Sequence, residues 1–281
     1  MIIMILKIAS WNVEVRLSRT NTKRRDNLSL IMKTIKKLNA DILVLPEAHS
    51  ESSLDYLKSR QQLVDMGYKL FSVPYQDDSS LRADAIAQQT SLMLLCKLPI
   101  KQFDIIRLGD FRNAFVAIVK AGPDQFLRVI SLHFDDRLET TRLKQVIDLV
   151  NIINQSMLPT IVLGDFNAMH GEDLWPSKFL RTKLVNLLAH IVLPSISLKA
   201  IEMARGDVLK TLETSTGLTD VDTKHRPTTT PKKIGFEWLP SIRLIQIDHM
   251  FVSKDIKVNR FCVAADGGSD HRAIVADLLI K

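Results

Sequence analysis

Short apolar runs, each about the length of a β-strand, recur along the chain between polar segments. They cover residues 3–11, 42–46, 91–98, 114–119, 126–132, 160–163, 244–252, 256–264 and 273–280. Several runs are apolar at nearly every position instead of alternating with polar residues, which indicates strands covered on both faces. Two sheets packed against each other, with helices outside, would provide that cover.

Amphipathic segments lie between some of the predicted strands. Apolar residues share one helical face at Leu28, Ile31, Met32, Ile35 and Leu38, and again at Leu143, Val146, Ile147, Val150 and Ile153. The last three predicted strands follow one another with only turn-length gaps. A (β/α)₈ barrel requires a helix after each strand, so this run favours antiparallel pairing.

One long polar stretch, from Thr211 to Lys233, is rich in threonine and is predicted to form a surface loop near a site. The composition, with 46% hydrophobic and 25% charged residues, is that of a globular protein and excludes a disordered or fibrous chain. A length of 281 residues allows two domains or one large domain.

The compartment is predicted from the cysteines and the apolar segments. Cys96 and Cys262 form no CxxC pair, so neither a disulfide framework nor a cysteine zinc site is indicated, and a reducing compartment is favoured. The N-terminal run lacks the basic start and the cleavage site of a secretory signal. The stretch Leu184 to Leu198 contains polar residues and a proline, which excludes a membrane span. We expect a cytoplasmic protein.

The formal net charge of +7 is typical of a protein with a polyanionic partner, but also of an ordinary solvated surface. The tightest basic cluster consists of Arg16, Arg19, Lys23, Arg24 and Arg25. This excess of charge bears on function only if such residues border a site that binds phosphate.

Polar residues interrupt the apolar runs where strands are predicted to end, which is where sites form in layered α/β proteins. Asn12 and Glu47 end the first two runs and would converge if those strands are neighbours. A carboxylate and an amide oxygen suit Mg²⁺, which prefers oxygen ligands. Alternatively, Asn12 begins a turn and Glu47 caps the next helix.

Asp165 and Asn167 follow another buried run, and their spacing of two puts both side chains on one face of an extended chain. Gly164 before them would let the backbone come close to a ligand. The alternative is an Asx turn that closes the strand.

Two histidines are candidates for proton transfer near neutral pH. His133 ends the strand 126–132, and His271 lies in a Ser-Asp-His sequence before the last strand. Asp248 interrupts an apolar strand and requires a partner if it is buried, for which His271 is the candidate. His249 falls on the opposite face and is interpreted as a core histidine.

These motifs, in order, are Trp-Asn, Pro-Glu, a strand-end His, Gly-Asp-Phe-Asn, Ile-Asp and Ser-Asp-His, and they span Ser10 to Arg272. The set resembles the endonuclease/exonuclease/phosphatase superfamily, which has the deoxyribonuclease I-like fold. The resemblance implies an α/β (α+β) four-layer sandwich of two mostly antiparallel β-sheets flanked by helices. Because the site residues come from both ends of the chain, one domain over residues 1–281 is predicted.

The resemblance also implies a role for each candidate residue in a phosphoesterase that depends on Mg²⁺ or Mn²⁺. Glu47 with Asn12 would form the metal site, and Asp270 would contact this metal or a second one. Asp165 would orient or deprotonate the attacking water, and Asn167 would hold the phosphate.

The histidines have roles by the same resemblance. His271, oriented by Asp248, would stabilise the pentavalent phosphorus centre or act as an acid, and His133 would contact the same phosphate oxygens. Charge on those oxygens must be neutralised while water is held in line for attack.

The branch of the superfamily is less defined. The apurinic endonuclease branch carries an Asn-x-Tyr-x-Pro-Asn type of motif where this chain has Ser-Leu-His-Phe at 131–134, which disfavours that branch. The series His133, Asp135, Thr141, Arg142 and Gln145 is similar to sphingomyelinase-like and 5′-tyrosyl DNA phosphodiesterase-like members.

We therefore expect a monomeric phosphodiesterase that uses direct attack by water, with nucleic acid as substrate in a nuclease or DNA-end-processing reaction. Arg16, Lys224 and Arg226 are the predicted substrate contacts. The alternatives are a phosphatase or phospholipase C-like hydrolase of small or lipid phosphates, similar to a sphingomyelinase or inositol phosphatase, and a catalytically inactive binding module.

Overall fold

The computed structural model describes residues 4–13, 28–49, 54–74, 90–110, 112–171, 202–229, 245–265 and 267–280. The strands in these residues are β1 (Met4–Ser10), β2 (Ile42–His49), β3 (Lys69–Pro74), β4 (Thr90–Cys96), β5 (Ile100–Leu108), β6 (Arg112–Lys120), β7 (Phe126–His133), β8 (Thr160–Asp165), β9 (Thr219–Asp220), β10 (Asp248–Val252), β11 (Ile256–Val263) and β12 (Ile274–Ile280). The helices are α1 (Leu28–Leu38), α2 (Leu54–Asp65), α3 (Glu139–Asn154) and α4 (Asp207–Thr216).

The described strands form two six-stranded sheets. The first has the order β11-β12-β1-β2-β4-β3, and only the β1–β2 pair in it is parallel. The second has the order β5-β6-β7-β8-β10-β9, and only β7–β8 is parallel. Both sheets are therefore mostly antiparallel, as predicted.

Three apolar clusters separate four layers of secondary structure. The central cluster lies between the sheets and takes side chains such as Ile8, Leu94 and Val129 from both of them. A second cluster packs α1 against the outer face of the first sheet. A third packs α3 and α4 against the outer face of the second sheet. The predicted α+β sandwich is confirmed by this arrangement.

Some elements were not predicted from the apolar pattern. The edge strand β5 buries few of its side chains and therefore lacks an apolar run. The prediction of a loop from Thr211 onward is wrong for its first residues, because α4 continues to Thr216. Its residues Val208, Leu209 and Leu212 are buried in the cluster that it shares with α3, so packing stabilises a helix in a sequence rich in threonine.

The strand directions bring several chain ends to one edge of the sandwich. The carboxyl ends of β1, β2, β7 and β8 meet there, together with the amino ends of β10 and β12, which run antiparallel to their neighbours. None of the helices in the described residues combines the length and the hydropathy needed to cross a bilayer.

Candidate active site

A single amide group joins the polar ends of three strands. Asn12 Nδ2 donates hydrogen bonds to Glu47 Oε1 at 3.2 Å and to Asp165 Oδ2 at 2.9 Å. Asn12 follows β1 and Glu47 lies in the neighbouring parallel strand β2, while Asp165 ends β8 in the other sheet. The amide therefore links the two sheets at the edge where their strands end.

The backbone at Glu47 is unusual for a residue that is not glycine. Its φ angle is 54°, and the β2–β4 register shifts between Leu45 and Ala48, which marks a β-bulge. Bulges redirect side chains, and strained backbone conformations are concentrated at functional sites. Here the bulge directs the carboxylate of Glu47 toward Asn12.

Asp165 and Asn167 form the turn that closes β8. The backbone N–H of Asn167 donates to Asp165 Oδ1 at 2.9 Å, which is an Asx turn, and leaves Oδ2 directed at Asn12. Asn167 has φ of 48°, and its Nδ2 donates to the carbonyl of Phe134 at 3.1 Å. The turn and the polar site are thus one structure, not alternatives.

Gly164 allows a close contact between two neighbouring strands. Its φ is 151°, and a Cβ atom built there would overlap the carbonyl group of Leu132 in the neighbouring strand β7. The close approach that requires glycine here is between β7 and β8.

Asp248 and His271 form a buried hydrogen-bonded pair. Asp248 Oδ2 lies 2.7 Å from His271 Nδ1, and the Asp248 side chain has no exposed surface. Asp248 is paired with Asp165 in the β8–β10 register, so the dyad lies directly beside β8. The other ring nitrogen, His271 Nε2, is 4.0 Å from Asp165 Oδ2.

The charges in this pair shift two ionisation equilibria. Burial disfavours the imidazolium form of His271, but the carboxylate of Asp248 outweighs this effect and raises the pKa of His271 to about 10. Burial, together with the negative charge of Asp248, raises the pKa of Asp165 to about 7. His271 is therefore a cation at neutral pH, and Asp165 exchanges a proton in that range.

His133, at the end of β7, lies on the other side of the two carboxylates. Its Nε2 is 3.7 Å from Asp165 Oδ2 and 3.9 Å from Glu47 Oε1, and its ring is buried. Two histidines thus flank Asp165, and each of them has a ring nitrogen within 4.0 Å of the same carboxylate oxygen.

The predicted metal ligands have the donor chemistry of a hard cation. Two of them, Asn12 and Glu47, supply an amide and a carboxylate, and the carboxylate of Asp165 lies beside them through the shared Asn12 hydrogen bonds. Mg²⁺ and Mn²⁺ prefer such oxygen donors. The side chain of Glu47 is 34% exposed, so the group is accessible from solvent, whereas Asp165 is closed off from it. The residues present therefore fit a divalent metal ion.

The remaining predicted residues lie at different places. Asp270 precedes His271, its carboxylate accepts a hydrogen bond from Ser269 Oγ at 3.4 Å, and its charge helps to raise the pKa of His271. Lys224 is exposed. The guanidinium of Arg226 pairs with Asp222 at 2.8 Å and lies over the ring of Phe261. Arg16 and the rest of its basic cluster lie outside the described residues.

One buried network that supports the site was not recognised as such from the sequence. Arg142 is fully buried, pairs with Glu139 at 3.0 Å and donates to the backbone carbonyl of Asp135. Gln145 Oε1 accepts the backbone N–H of Asp135. These contacts hold the loop that follows His133. In the sequence, the only sign of this network is that Glu139, Arg142 and Gln145 follow one another at intervals of three along one helical face. Such a polar face is by itself typical of a solvated surface.

The fold and this group of side chains are those of a layered α+β protein with a polar site at one edge of its sheets, and comparison with known proteins gives its family. The model of the Endonuclease/Exonuclease/phosphatase family matches residues 9–271, so the chain belongs to that family. Members of the family are hydrolases that act on phosphate esters and generally depend on divalent metal ions. The resemblance inferred from the motifs is confirmed. No curated protein sequence matches the chain.

Solved structures show the same fold at low sequence identity. The human Nocturnin catalytic domain, with bound sulfate, matches with a TM-score of 0.66 and 19% identity over 98% of this chain and 94% of that one. ANGEL2, a 2′,3′-cyclic phosphatase bound to adenosine-2′,3′-vanadate, has a TM-score of 0.66 and 16% identity, with 99% and 96% coverage. A humanized D. rerio TDP2 has a TM-score of 0.61 and 18% identity, with 98% coverage of each chain.

Proposed function

We propose that this protein is a divalent-metal-dependent phosphodiesterase that hydrolyses phosphate esters by direct attack of water. One observation carries the proposal. Asp165 accepts a hydrogen bond from the amide that also binds Glu47, and it lies 4.0 Å from a histidine held by Asp248. Oxygen ligands for a metal ion and a buried imidazolium thereby lie around one small volume. A metal ion and an imidazolium are the two positive charges that neutralise phosphoryl oxygens.

Glu47 and Asn12 are the proposed ligands of Mg²⁺ or Mn²⁺, with Asp270 as an additional contact. When bound, the metal supplies positive charge to the phosphoryl oxygens. The exposed side of Glu47 leaves room for substrate and water, which Mg²⁺ sites usually retain.

Asp165 is proposed to orient the attacking water and to accept its proton. The raised pKa of Asp165, about 7, matches this task near neutral pH, because a general base works best when its pKa is near the working pH. Asn12 holds the oxygen that would receive the proton, and the Asx turn with Asn167 fixes the other one. Asn167 itself is proposed to contact the phosphate.

His271 is proposed to stabilise the pentavalent phosphorus centre as an imidazolium. Its Nδ1 is held by Asp248, so the proton on Nε2 faces Asp165 and the reaction volume. His133 is proposed to contact the same phosphate oxygens from the opposite side of Asp165. Loss of the charge on the His271 ring would leave the phosphoryl oxygens less neutralised.

Nucleic acid is the proposed substrate, in a nuclease or DNA-end-processing reaction. The protein is proposed to act in the cytoplasm as a monomer, with one domain over residues 1–281. The match to ANGEL2 holding an adenosine-vanadate complex is consistent with a nucleotide in this fold, and the net charge of +7 adds support only if the basic residues border this site. Arg16, Lys224 and Arg226 are the proposed substrate contacts. A phosphatase or phospholipase C-like activity is the alternative.

The chemistry is tested with bis(p-nitrophenyl) phosphate in the presence and absence of Mg²⁺ and Mn²⁺. We expect metal-dependent hydrolysis by the wild type, no hydrolysis by Asp165→Ala or His271→Ala, and wild-type rates for Asp255→Ala, which changes an exposed carboxylate. Full activity in both site variants would refute the mechanism.

The substrate is tested with a panel assayed alongside the Asp165→Ala protein, which corrects for contaminating nucleases. The panel contains abasic duplex DNA, single-stranded DNA, RNA, 5′-phosphotyrosyl DNA, sphingomyelin and inositol phosphates. Turnover confined to the last two substrates would replace nucleic acid with the lipid or small-phosphate alternative.

A further inference from the structure

A second cluster of titratable side chains lies on the outer side of the second sheet. Asp220 Oδ2 is 2.7 Å from His249 Nδ1 and 3.2 Å from His170 Nε2. The three residues come from separate segments, since His170 follows β8, Asp220 lies in β9 and His249 lies in β10. His249 has no exposed surface, and the side chains of Asp220 and His170 are 5% and 14% exposed.

This cluster is separate from the proposed active site. Successive residues of a strand point to opposite faces, so His249 lies on the face away from Asp248. There the ring of His249 packs edge-on against Phe166, which belongs to the outer apolar cluster. The mechanism proposed above uses none of the three residues.

The side chains of Asp220 and His249 are each held in orientation by a hydrogen bond at the atom that does not face the cluster. Asp220 Oδ1 accepts the backbone N–H of Asp222 at 2.9 Å, which leaves Oδ2 for the cluster. His249 Nε2 donates to the carbonyl of Ala168 at 2.9 Å, which directs Nδ1 at Asp220. Metal-binding histidines almost always have such a partner on the other nitrogen, because it fixes the tautomer and the ring.

We propose that His170 Nε2, Asp220 Oδ2 and His249 Nδ1 bind a transition-metal ion of the Zn²⁺ type. Binding displaces the proton that Nδ1 of His249 shares with Asp220, so one proton is released from that nitrogen and its lone pair is donated to the metal. The bond from Nε2 to Ala168 is retained.

The donor set and its dimensions select this class of ion. Two imidazole nitrogens and one carboxylate oxygen suit Zn²⁺ and its neighbours, whereas Mg²⁺ prefers oxygen alone. Tetrahedral bonds of about 2.0 Å separate the ligand atoms by roughly 3.3 Å. The observed separations from Asp220, 2.7 and 3.2 Å, would have to lengthen by about 0.6 and 0.1 Å to reach that value.

The ring of His225 gives the cluster one further support. It stacks on the ring of His170 with centroids 4.2 Å apart and planes within 7° of parallel. His170, the most exposed of the three ligands, is thereby held in its orientation. A bound ion would connect the segment after Asn167 to β9 and β10, so it is expected to stabilise the fold around the end of β8.

The test uses the full-length protein, stripped with a chelator and dialysed, and titrated with Zn²⁺ against a chromophoric chelator in excess Mg²⁺. We expect one equivalent of Zn²⁺ to bind to the wild type and to raise its melting temperature. His170→Ala and Asp220→Asn should each bind that equivalent at least tenfold more weakly and lose the thermal shift.

Glu47→Gln is the matched control, because it alters the other proposed metal site and should retain the Zn²⁺ equivalent. Titration with Co²⁺ adds an independent signature, since tetrahedral Co²⁺ absorbs strongly in the visible range. Circular dichroism verifies that His170→Ala is folded. Equal Zn²⁺ affinity in the wild type and in both cluster variants would overturn the proposal and leave the cluster as an ion pair only.

Discussion

The carboxylate of Asp248 lies 2.7 Å from Nδ1 of His271, and neither side chain is more than 9% exposed. A buried carboxylate in contact with an imidazole fixes the orientation of the ring and favours its charged form. The consequences of this pair can be measured both in the reaction and in the stability of the protein.

In the reaction, Asp248→Asn should lower kcat/KM by about 10²-fold to 10⁴-fold. The loss should grow as the pH rises through the neutral range, because the pKa of His271 then falls from about 10 toward its ordinary value. A pH profile of kcat/KM for both proteins measures this. A variant profile parallel to that of the wild type would contradict the assigned role of Asp248.

In the folded protein, the raised pKa of His271 links stability to pH. The pKa is about 10 in the native state and about 6.5 in the unfolded state. The proton on His271 therefore contributes its full stabilisation below about pH 6.5, and this contribution is lost as the pH rises toward 10. In EDTA, the difference in unfolding free energy between the wild type and His271→Gln should shrink steadily over that range. A difference independent of pH would speak against a charged His271.

Metal binding is expected to depend on Glu47. Glu47→Gln replaces an anionic ligand by a neutral one, so the Mg²⁺ concentration for half-maximal activity should rise by about tenfold or more. Activity assays over a range of Mg²⁺ measure this, with Glu213→Gln in α4 as the matched control. An unchanged requirement for Mg²⁺ would remove Glu47 from the site.

The contact between β7 and β8 makes glycine necessary at Gly164. In Gly164→Ala the new Cβ atom would overlap the Leu132 carbonyl group, so the free energy of unfolding should fall by about 3 kcal/mol or more. Gly67→Ala is the control, since Gly67 also has a positive φ but has no atom near the position of a Cβ, and should cost about 1 kcal/mol. Chemical denaturation compares the two variants, and equal costs would show that strain, not overlap, dominates.

If nucleic acid is the substrate, its affinity should fall steeply with salt concentration because phosphate contacts release counterions. Lys224→Ala should reduce the slope of log K against log salt by about 1, whereas Lys257→Ala on the exposed face of β11 should leave it unchanged. Binding to DNA and RNA that does not respond to salt would favour the small-phosphate alternative.

The sequence predicted the parts of the fold that bury continuous apolar surface. Runs such as 126–132 and 160–163 correspond to central strands, whose apolar character follows from cover on both faces. The edge strand β5 was not predicted, because its exposed side chains interrupt the apolar pattern of a strand. The helix α4 was not predicted, because its threonines have a low helix propensity.

The same division holds at the site. The polar residues at strand ends were identified because they interrupt apolar runs, and the Asp248–His271 partnership followed from the need to pair a buried charge. The buried position of Glu139 could not be predicted, because it depends on contacts with Glu202 and Val208, far along the chain. The cluster around Asp220 was also missed, since only the pairing of β9 with β10 brings it to His249.

The register of β10 against β8 has a consequence for how the chain tolerates insertions and deletions. Asp248 and His249 are adjacent but serve opposite faces. A slip of one residue would put either His249 or Ile247 in the place of Asp248, and either Met250 or Asp248 in the place of His249, so both places would lose their residue at once. The proposed catalytic dyad and the proposed zinc cluster therefore share a single alignment of backbone hydrogen bonds. A one-residue change in the length of the chain just before Asp248 would be expected to abolish both together.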